Sequence, residues 1–243
     1  MRIGIITDIH ANTPALKSVL ADIDEVGVDY IGCLGDVVGY GGSPDRCCDL
    51  VRERADAVVM GNHDAAVTGQ MEYDYYRKTA REALDVHRRE LSSTNFEWLS
   101  ALPMEYCTDD VRFCHGVPPN LTAFEYLFNV GQVEPLRIAY EEQAWITFVG
   151  HSHLCKAFSY RPNGVVEVLR TRFDLAKDRK YIISAGSVGQ PRDYDNRACW
   201  GFLDLNTQRF EYRRVTYSID DAVSAIEQAG IASAFGRRLY LGI

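Results

Sequence analysis

The sequence predicts an α/β protein: a parallel sheet wound from βαβ units, then a second half of more antiparallel character. Two patterns carry this reading. Over the first 61 residues, short apolar runs alternate with segments of helical periodicity. From residue 111 onward apolar runs dominate and hairpin signals separate them. Residues 2–7 form an apolar run ending at Asp8. Thr13-Pro14 offers a capping residue followed by proline at the first helical position. Leu16, Val19, Leu20 and Ile23 then keep helical spacing to about Val26. Residues 28–34 read as a second strand ending at Gly35-Asp36. Ser43-Pro44 repeats the cap-and-proline start for a helix reaching Arg54, and residues 56–60 form a third strand ending at Gly61-Asn62.

Residues 71–91 are charged and helical, and 94–101 form another short helix. Strand-like runs follow at 111–114, 145–149, 155–160, 165–169, 181–184, 199–205 and 210–215. Asn163-Gly164 reads as a two-residue hairpin turn, and Asn206-Thr207-Gln208 joins a second hairpin. From Ser218 the tail is helical, with a break at Gly230. No repeat or low-complexity linker divides the chain, so a single domain over residues 1–243 is expected.

Hydrophobic residues make up 47% and charged residues 25%, as in ordinary globular proteins. The formal net charge of −8 removes the basic surface on which nonspecific nucleic-acid binding rests. An acidic chain that acts on phosphates must concentrate positive charge locally, and metal ions are one means. The seven cysteines are odd in number and show no CxxC spacing. The first apolar run is too short for a signal peptide, and none approaches the roughly 18 residues of a membrane span. A cytosolic protein with reduced thiols is expected, with Cys47-Cys48 packed as small apolar side chains.

Five short clusters lie just after predicted strands: Asp8-Ile9-His10, Gly35-Asp36, Gly61-Asn62-His63-Asp64, His115-Gly116 and Gly150-His151-Ser152-His153. Each alone has a plain reading as a turn, a cap or a hydrogen-bonded core histidine. Together they supply one ligand set. In open α/β sheets, sites form beyond the carboxyl ends of the strands. Asp8, Asp36 and Asn62 stand 28 and 26 residues apart, close to one βαβ repeat each time. The donors are carboxylate, imidazole and amide without thiolate, which suits Mn²⁺, Fe²⁺ or Zn²⁺. Seven ligands exceed one tetrahedral zinc but fit two ions sharing a carboxylate. Two ions about 3.5–4 Å apart can clamp the attacking and leaving oxygens at phosphorus and acidify a water between them.

The order DxH, GD, GNH[DE], H, GHxH over residues 3–153 resembles the calcineurin-like metallophosphoesterase superfamily. Gly186-Ser187-Val188-Gly189-Gln190-Pro191-Arg192-Asp193 is similar to a branch of small, mostly prokaryotic phosphodiesterases and diadenosine polyphosphate hydrolases. The resemblance implies a four-layer αββα sandwich of two mixed sheets flanked by helices. It implies that Asp8, His10 and His153 hold one metal, that Asp36 bridges, and that Asn62, His115 and His151 complete the second. His63 would not ligate metal but would orient the phosphate or protonate the leaving oxygen. Asn12 is a candidate for a phosphate contact or for helix capping.

The chain departs from the GDxVDRG run of the superfamily's Ser/Thr phosphatases, whose second aspartate pairs with the catalytic histidine and whose arginine clamps phosphate. Here the run is Gly35-Asp36-Val37-Val38-Gly39-Tyr40-Gly41. Symmetrically cleaving diadenosine tetraphosphatases keep that arginine, so this chain is not expected among them. Arg192 is the candidate replacement charge, with a surface ion pair as the alternative. Tyr73, Tyr75 and Tyr76 are either packing at a helix start or a stacking platform for a nucleobase, and Pro118-Pro119 shapes the loop after His115. The expectation is a cytosolic hydrolase with two divalent ions, Mn²⁺ first and Fe or Zn next. Its substrate would be a small phosphorylated molecule of nucleotide type, cleaved by metal-bound hydroxide. A nuclease or membrane role is disfavoured. The alternative is a non-catalytic interaction scaffold on the same fold, which would be expected to lose ligands that are all present here.

Overall fold

The computed structural model describes residues 1–108 and 110–243. Its first third is the βαβαβ winding the sequence predicts: β1 (Arg2–Ile6), α1 (Thr13–Val26), β2 (Tyr30–Cys33), α2 (Pro44–Arg54) and β3 (Ala57–Val58). The cap of α1 is Asn12 rather than Thr13: the Asn12 side-chain oxygen Oδ1 accepts from the Ala15 N–H at 3.1 Å. Ser43 precedes Pro44 as expected, but its side chain makes no capping bond. The helix expected from residue 71 starts later. After α3 (Asn62–Thr68), α4 runs Lys78–Glu90 and α5 Ser93–Ser100. Residues 71–77 instead form an irregular wall, because Tyr75 and Tyr76 line a cavity while the Tyr73 hydroxyl donates to Asp85 at 2.8 Å.

The remaining elements are β4 (Glu105–Cys107), β5 (Val111–Cys114), α6 (Glu134–Ile138), β6 (Ile146–Val149), β7 (Cys155–Arg161), β8 (Gly164–Glu167), β9 (Arg172–Asp174), β10 (Lys180–Ala185), β11 (Ala198–Asp204), β12 (Arg209–Val215), α7 (Ile219–Gln228) and α8 (Ser233–Leu241). One six-stranded sheet has the order β3-β2-β1-β11-β12-β9 and the other β4-β5-β6-β10-β7-β8. Both are mixed. β1, β2 and β3 are parallel, and β11 returns antiparallel beside β1. In the second sheet β5, β6 and β10 are parallel, with β4, β7 and β8 antiparallel at the flanks. Antiparallel pairing is thus shared between the sheets rather than confined to the second half, since β11 and β12 close on the first sheet. Apolar run length cannot distinguish which neighbour a strand chooses. The hairpin at 162–163 is shifted by one residue: Arg161 pairs with Gly164, so Pro162 and Asn163 form the turn.

The sheets face each other across a core that includes Ile3, Ile5, Phe113, Phe148, Ile183 and Phe210. Side-chain alternation along β1 sends Ile6 the other way, to the layer of α1 and α2 with Leu16, Val19, Val51 and Trp200. On the outer face of the second sheet, Cys114, Phe158, Tyr160 and Ile182 pack with Leu127, Val133 and Leu136. The order helix, sheet, sheet, helix and loop is the four-layer αββα sandwich. Gly32 allows the sheets to approach, because a Cβ there would lie 3.0 Å from the Phe113 ring. Cys47 and Cys48 are fully buried packing residues. No helix among the described residues is long and apolar enough to cross a membrane.

Asp22 ties α1 to the far strands. It accepts from Trp200 Nε1 at 2.8 Å and from Arg213 Nε and Nη2 at 2.9 and 3.0 Å. The Arg213 contact holds its carboxyl below the ordinary 3.8. A depressed folded value gives stability that is present above the unfolded pKa and lost as pH falls through the folded one. Asp22→Ala should cost about 1–2 kcal/mol at neutral pH, lowering Tm by about 2–6 °C. In thermal melts the gap from wild type should close as pH drops below 3.8; a gap that stays constant to the most acid pH would refute the assignment.

Candidate metal centre

All five sequence clusters meet at one end of the sandwich. Asp8 and His10 follow β1, Asp36 follows β2, Asn62 follows β3, His115 follows β5, and His151 and His153 follow β6. All seven side chains are buried or nearly so, His151 being the most open at 9% exposure. Their ligand atoms fall into groups whose members lie within 4.8 Å of one another: Asp8 with His10 and His153, and Asp36 with His115 and His151. The Asn62 carbonyl oxygen lies 3.1 Å from His115 Nε2, while its amide donates to the Tyr76 hydroxyl. Asp36 also groups with His10 and His63, so it faces both halves of the site.

The backbone here is held in rarely used conformations. Asp8, His10, Asp36, His151 and His153 all have φ between +49° and +66°, the left-handed region that side chains with a Cβ seldom adopt. Each such residue costs about 1–3 kcal/mol unless its surroundings enforce it. Several surroundings do. Asp8 accepts from Thr7 Oγ1 at 2.9 Å and from the His151 N–H at 3.1 Å. Asp36 Oδ1 accepts from the His63 N–H at 2.8 Å. Asp64 splices the loops after β2 and β3, accepting from the N–H groups of Val37, Val38 and Gly61 at 3.0, 3.2 and 3.0 Å. Gly61 is required because a Cβ would lie 2.1 Å from Asp36 Oδ1. The 186–193 motif is a buttress. Ser187 Oγ and the Gly189 N–H donate to the Asp8 carbonyl at 2.8 and 2.9 Å, and a Cβ on Gly189 would strike the Ile9 carbonyl.

The imidazoles are aimed by their far nitrogens. Nδ1 of His10, His115 and His153 donates to the carbonyls of Val38, Leu34 and Gln190 at 3.0, 2.7 and 2.6 Å. That fixes the ring orientation and turns each Nε2 inward, as a lone pair in His10 and His153. His10 Nε2 and His153 Nε2 then face each other at 3.1 Å. Burial pushes both rings well below the ordinary histidine value, so no proton reconciles the two lone pairs. Burial likewise lowers His63 to about 4 and His151 to about 3. It raises Asp8 to about 7. Burial alone would lower His115, but Asp36 and Asp8 carry it up to about 9. Burial would raise Asp36, yet His115 and His63 hold it below the usual carboxylate range. Asp36 Oδ2 lies 3.3 Å from His115 Nε2 without a hydrogen bond of good geometry. Opposed lone pairs, an orphaned buried carboxylate oxygen and an all-O/N donor set fit divalent cations.

The site opens into a cavity of about 900 Å³. Arg192 lines it and makes no ion pair among the described residues; its Nη2 donates to the Gln190 carbonyl oxygen of the side chain at 3.1 Å, and its Nε is buried without a partner. Arg77 and Arg238 line the same space. Asn12 does not: its amide donates to the Gly189 carbonyl at 2.9 Å while its oxygen caps α1, so both ends are engaged. The tyrosine cluster divides, with Tyr75 and Tyr76 on the cavity and Tyr73 turned to Asp85. Several contributors escaped the sequence reading. Tyr126 stacks on His151 with centroids 3.9 Å apart, and Arg238 arrives from α8. The Tyr40 hydroxyl lies 3.0 Å from His63 Nε2. His87 sits on the buried Ala80-Ala83-Leu84 stripe of α4; an ionisable ring on that apolar face was the available signal.

A family model described as the calcineurin-like phosphoesterase superfamily domain matches residues 1–208. The chain belongs to that superfamily. It is 36% identical to an uncharacterized protein of Methanocaldococcus jannaschii, over 99% of this chain and 98% of the relative. A crystal structure of a metallophosphoesterase from Sphaerobacter thermophilus is similar at 34% identity and TM-score 0.83, covering 100% of this chain and 99% of that one. A hypothetical protein from Pyrococcus horikoshii OT3 shares the fold at 17% identity and TM-score 0.78, covering 100% and 98%. The family is one of phosphoesterase hydrolases, and the buried Asp and His groups of this chain could hold metal ions.

A cation that binds the folded site alone stabilises the chain by about 2.7 kcal/mol at a hundred times its Kd. Adding Mn²⁺ to metal-stripped protein should raise Tm, and Asp36→Asn should abolish that rise while the metal-free variant stays folded. Differential scanning calorimetry checks this; an undiminished Mn²⁺-induced rise in the variant would remove Asp36 from the metal set.

Proposed function

We propose that the chain hydrolyses a phosphodiester, phosphoanhydride or phosphomonoester bond of a small, nucleotide-like substrate with two divalent metal ions. The observation that carries this is Asp36, whose carboxylate faces both donor groups. Asp8, His10 and His153 would hold one ion, Asn62, His115 and His151 the other, and Asp36 would bridge them. Bound there, the ions would supply charge to the phosphoryl oxygens and an acidified water. Mn²⁺ is the first candidate, and the odd cysteine count without CxxC spacing supports a reducing, cytosolic setting.

The chain's own residues would do the rest. Arg192, Arg238 and Arg77 place positive charge on the cavity of a protein with net charge −8, as an anionic substrate requires. Tyr126 on His151, with Tyr75 and Tyr76 on the same cavity, offers aromatic faces to a base. The volume of about 900 Å³ suits a nucleotide-sized ligand rather than inorganic phosphate. His63 would orient the phosphate or assist departure of the leaving oxygen.

Metal-stripped protein should cleave at least one of bis-p-nitrophenyl phosphate, p-nitrophenyl phosphate, a 2′,3′-cyclic nucleotide and diadenosine tetraphosphate once Mn²⁺ is added. Asp36→Ala should lose this activity. No cleavage with any metal by correctly folded protein would favour the non-catalytic scaffold. His63→Ala should lower kcat by about 10²–10⁴-fold with both metals retained on elemental analysis. Because His63 also groups with His10 and Asp36, loss of metal from that variant would make it a ligand instead.

A further inference from the structure

The loop after Asp36 contains a device the metal ligands do not explain. The Gly41 N–H donates to the Gly39 carbonyl at 2.7 Å, closing a three-residue turn whose apex is Tyr40. Tyr40 has φ +62° and Gly39 φ +98°. Positive-φ turns of this size are rare and strained, so something must hold this one. That is His87. Its Nδ1 accepts from the Gly39 N–H at 2.9 Å, and its Nε2–H donates to the Gly41 carbonyl at 2.7 Å. One fully buried ring thus grips the backbone on both sides of Tyr40 and uses both nitrogens to do so.

The grip aims the phenol. The Tyr40 ring lies between His10 and Phe235, with centroids at 4.5 and 4.8 Å, and the Arg192 guanidinium is 5.8 Å from its centroid. Its hydroxyl oxygen lies 3.0 Å from His63 Nε2. His63 is only 3% exposed, and its Nδ1 has no hydrogen-bond partner among the described residues. Gly39 leaves no room for a residue that could partner it, since a Cβ there would lie 2.4 Å from Nδ1. Tyr40, half-buried, lines the cavity beside Asp36, Asn62, His151 and His153.

Resting on the phosphoesterase reading, we infer that the Tyr40 hydroxyl is the group that meets the leaving oxygen, with His63 as its support and His87 as the positioning residue of its turn. His63 Nε2–H donates to the phenol oxygen, which leaves the phenol O–H free to point into the cavity. As the bond from phosphorus to the leaving oxygen breaks, that oxygen takes the Tyr40 proton. The attacking water gives its oxygen to phosphorus, and the proton it releases restores Tyr40 through solvent. The transient phenolate is held by His63 Nε2–H and the neighbouring Arg192 charge. A phenol helps only a leaving group more basic than itself: a sugar or glycerol alkoxide gains, whereas a nitrophenolate leaves unaided.

The test is Tyr40→Phe, which removes one oxygen and keeps the ring. In the Mn²⁺-loaded enzyme, kcat should fall about 10²-fold or more on a 2′,3′-cyclic nucleotide and less than about threefold on bis-p-nitrophenyl phosphate. If the enzyme is a monoesterase, glycerol phosphate and p-nitrophenyl phosphate are the pair. Metal content should be unchanged. In metal-free protein with ¹⁵N-labelled histidine, the His63 Nε2 resonance should shift in Tyr40→Phe. His87→Gln should show the same substrate-selective loss and add little to Tyr40→Phe; if it fails to fold, Tyr40→Phe decides alone. An active wild type whose Tyr40→Phe variant is undiminished, or equally diminished on both esters, overturns the inference alone. A wild type inert on every ester overturns the phosphoesterase reading and the inference with it.

Discussion

A carboxylate buried among imidazoles organises this molecule. Asp36 is 1% exposed, takes one hydrogen bond from the His63 N–H, and keeps its second oxygen unsatisfied. A buried carboxylate oxygen without a hydrogen bond is costly to a fold. Its place is nonetheless defended, by a glycine at 61 that leaves it room and by Asp64 cross-linking the loops on either side. The same end of the sandwich holds two imidazole nitrogens lone pair to lone pair at 3.1 Å. A sequence selected for the stability of the bare chain would remove such features. Their persistence together, at the carboxyl ends of strands from both sheets, is what a cation site requires and a core does not.

The surrounding structure converts sheet geometry into ligand geometry. Parallel strands from two sheets deliver the donors to one edge, but extended strands would send alternate residues to opposite faces. The chain therefore turns sharply as soon as each strand ends, with five of the seven candidate ligands at positive φ. Those conformations are held by backbone carbonyls on the histidine Nδ1 atoms and by the 186–193 segment, which braces Asp8 and supplies the Gln190 carbonyl to His153. The motif after β10 is thus a support for the centre, reaching the cavity itself only through Arg192 and, by its neighbours, the Tyr40 turn.

Charge is partitioned in the same manner. The chain is acidic overall, yet arginines from three separate segments converge on the cavity beside the site. Two carboxylates in the centre would repel a phosphate unless cations intervene, so the arginines and the expected metals act in the same direction. Aromatic rings fill much of the remaining wall, giving a cavity polar at one end and flat-sided elsewhere.

The first sheet's winding, both helix starts at Thr13-Pro14 and Ser43-Pro44, and the seven candidate ligands were legible because each depends on local rules: apolar period, proline at a helix start, and polar residues directly after strands. Strand pairing was less legible. β11 joins the first sheet across nearly 200 residues of chain, and nothing local to its sequence names that neighbour. β4 and β9 were missed because three residues give no period. Asn12 shows the limit at single residues: its cap on α1 is local, but the bond that turns its amide away from the cavity comes from Gly189, 177 residues away. The sequence by itself determined which residues could bind cations and that they would share one sheet edge, because ligand chemistry and strand-end position are properties of short stretches. Only the tertiary structure decided that Asp36 stands between the donor groups, that His87 grips the turn carrying Tyr40, and that Arg192, Arg238 and Tyr126 share one cavity. Those are distances between side chains far apart in the chain, and packing alone sets them.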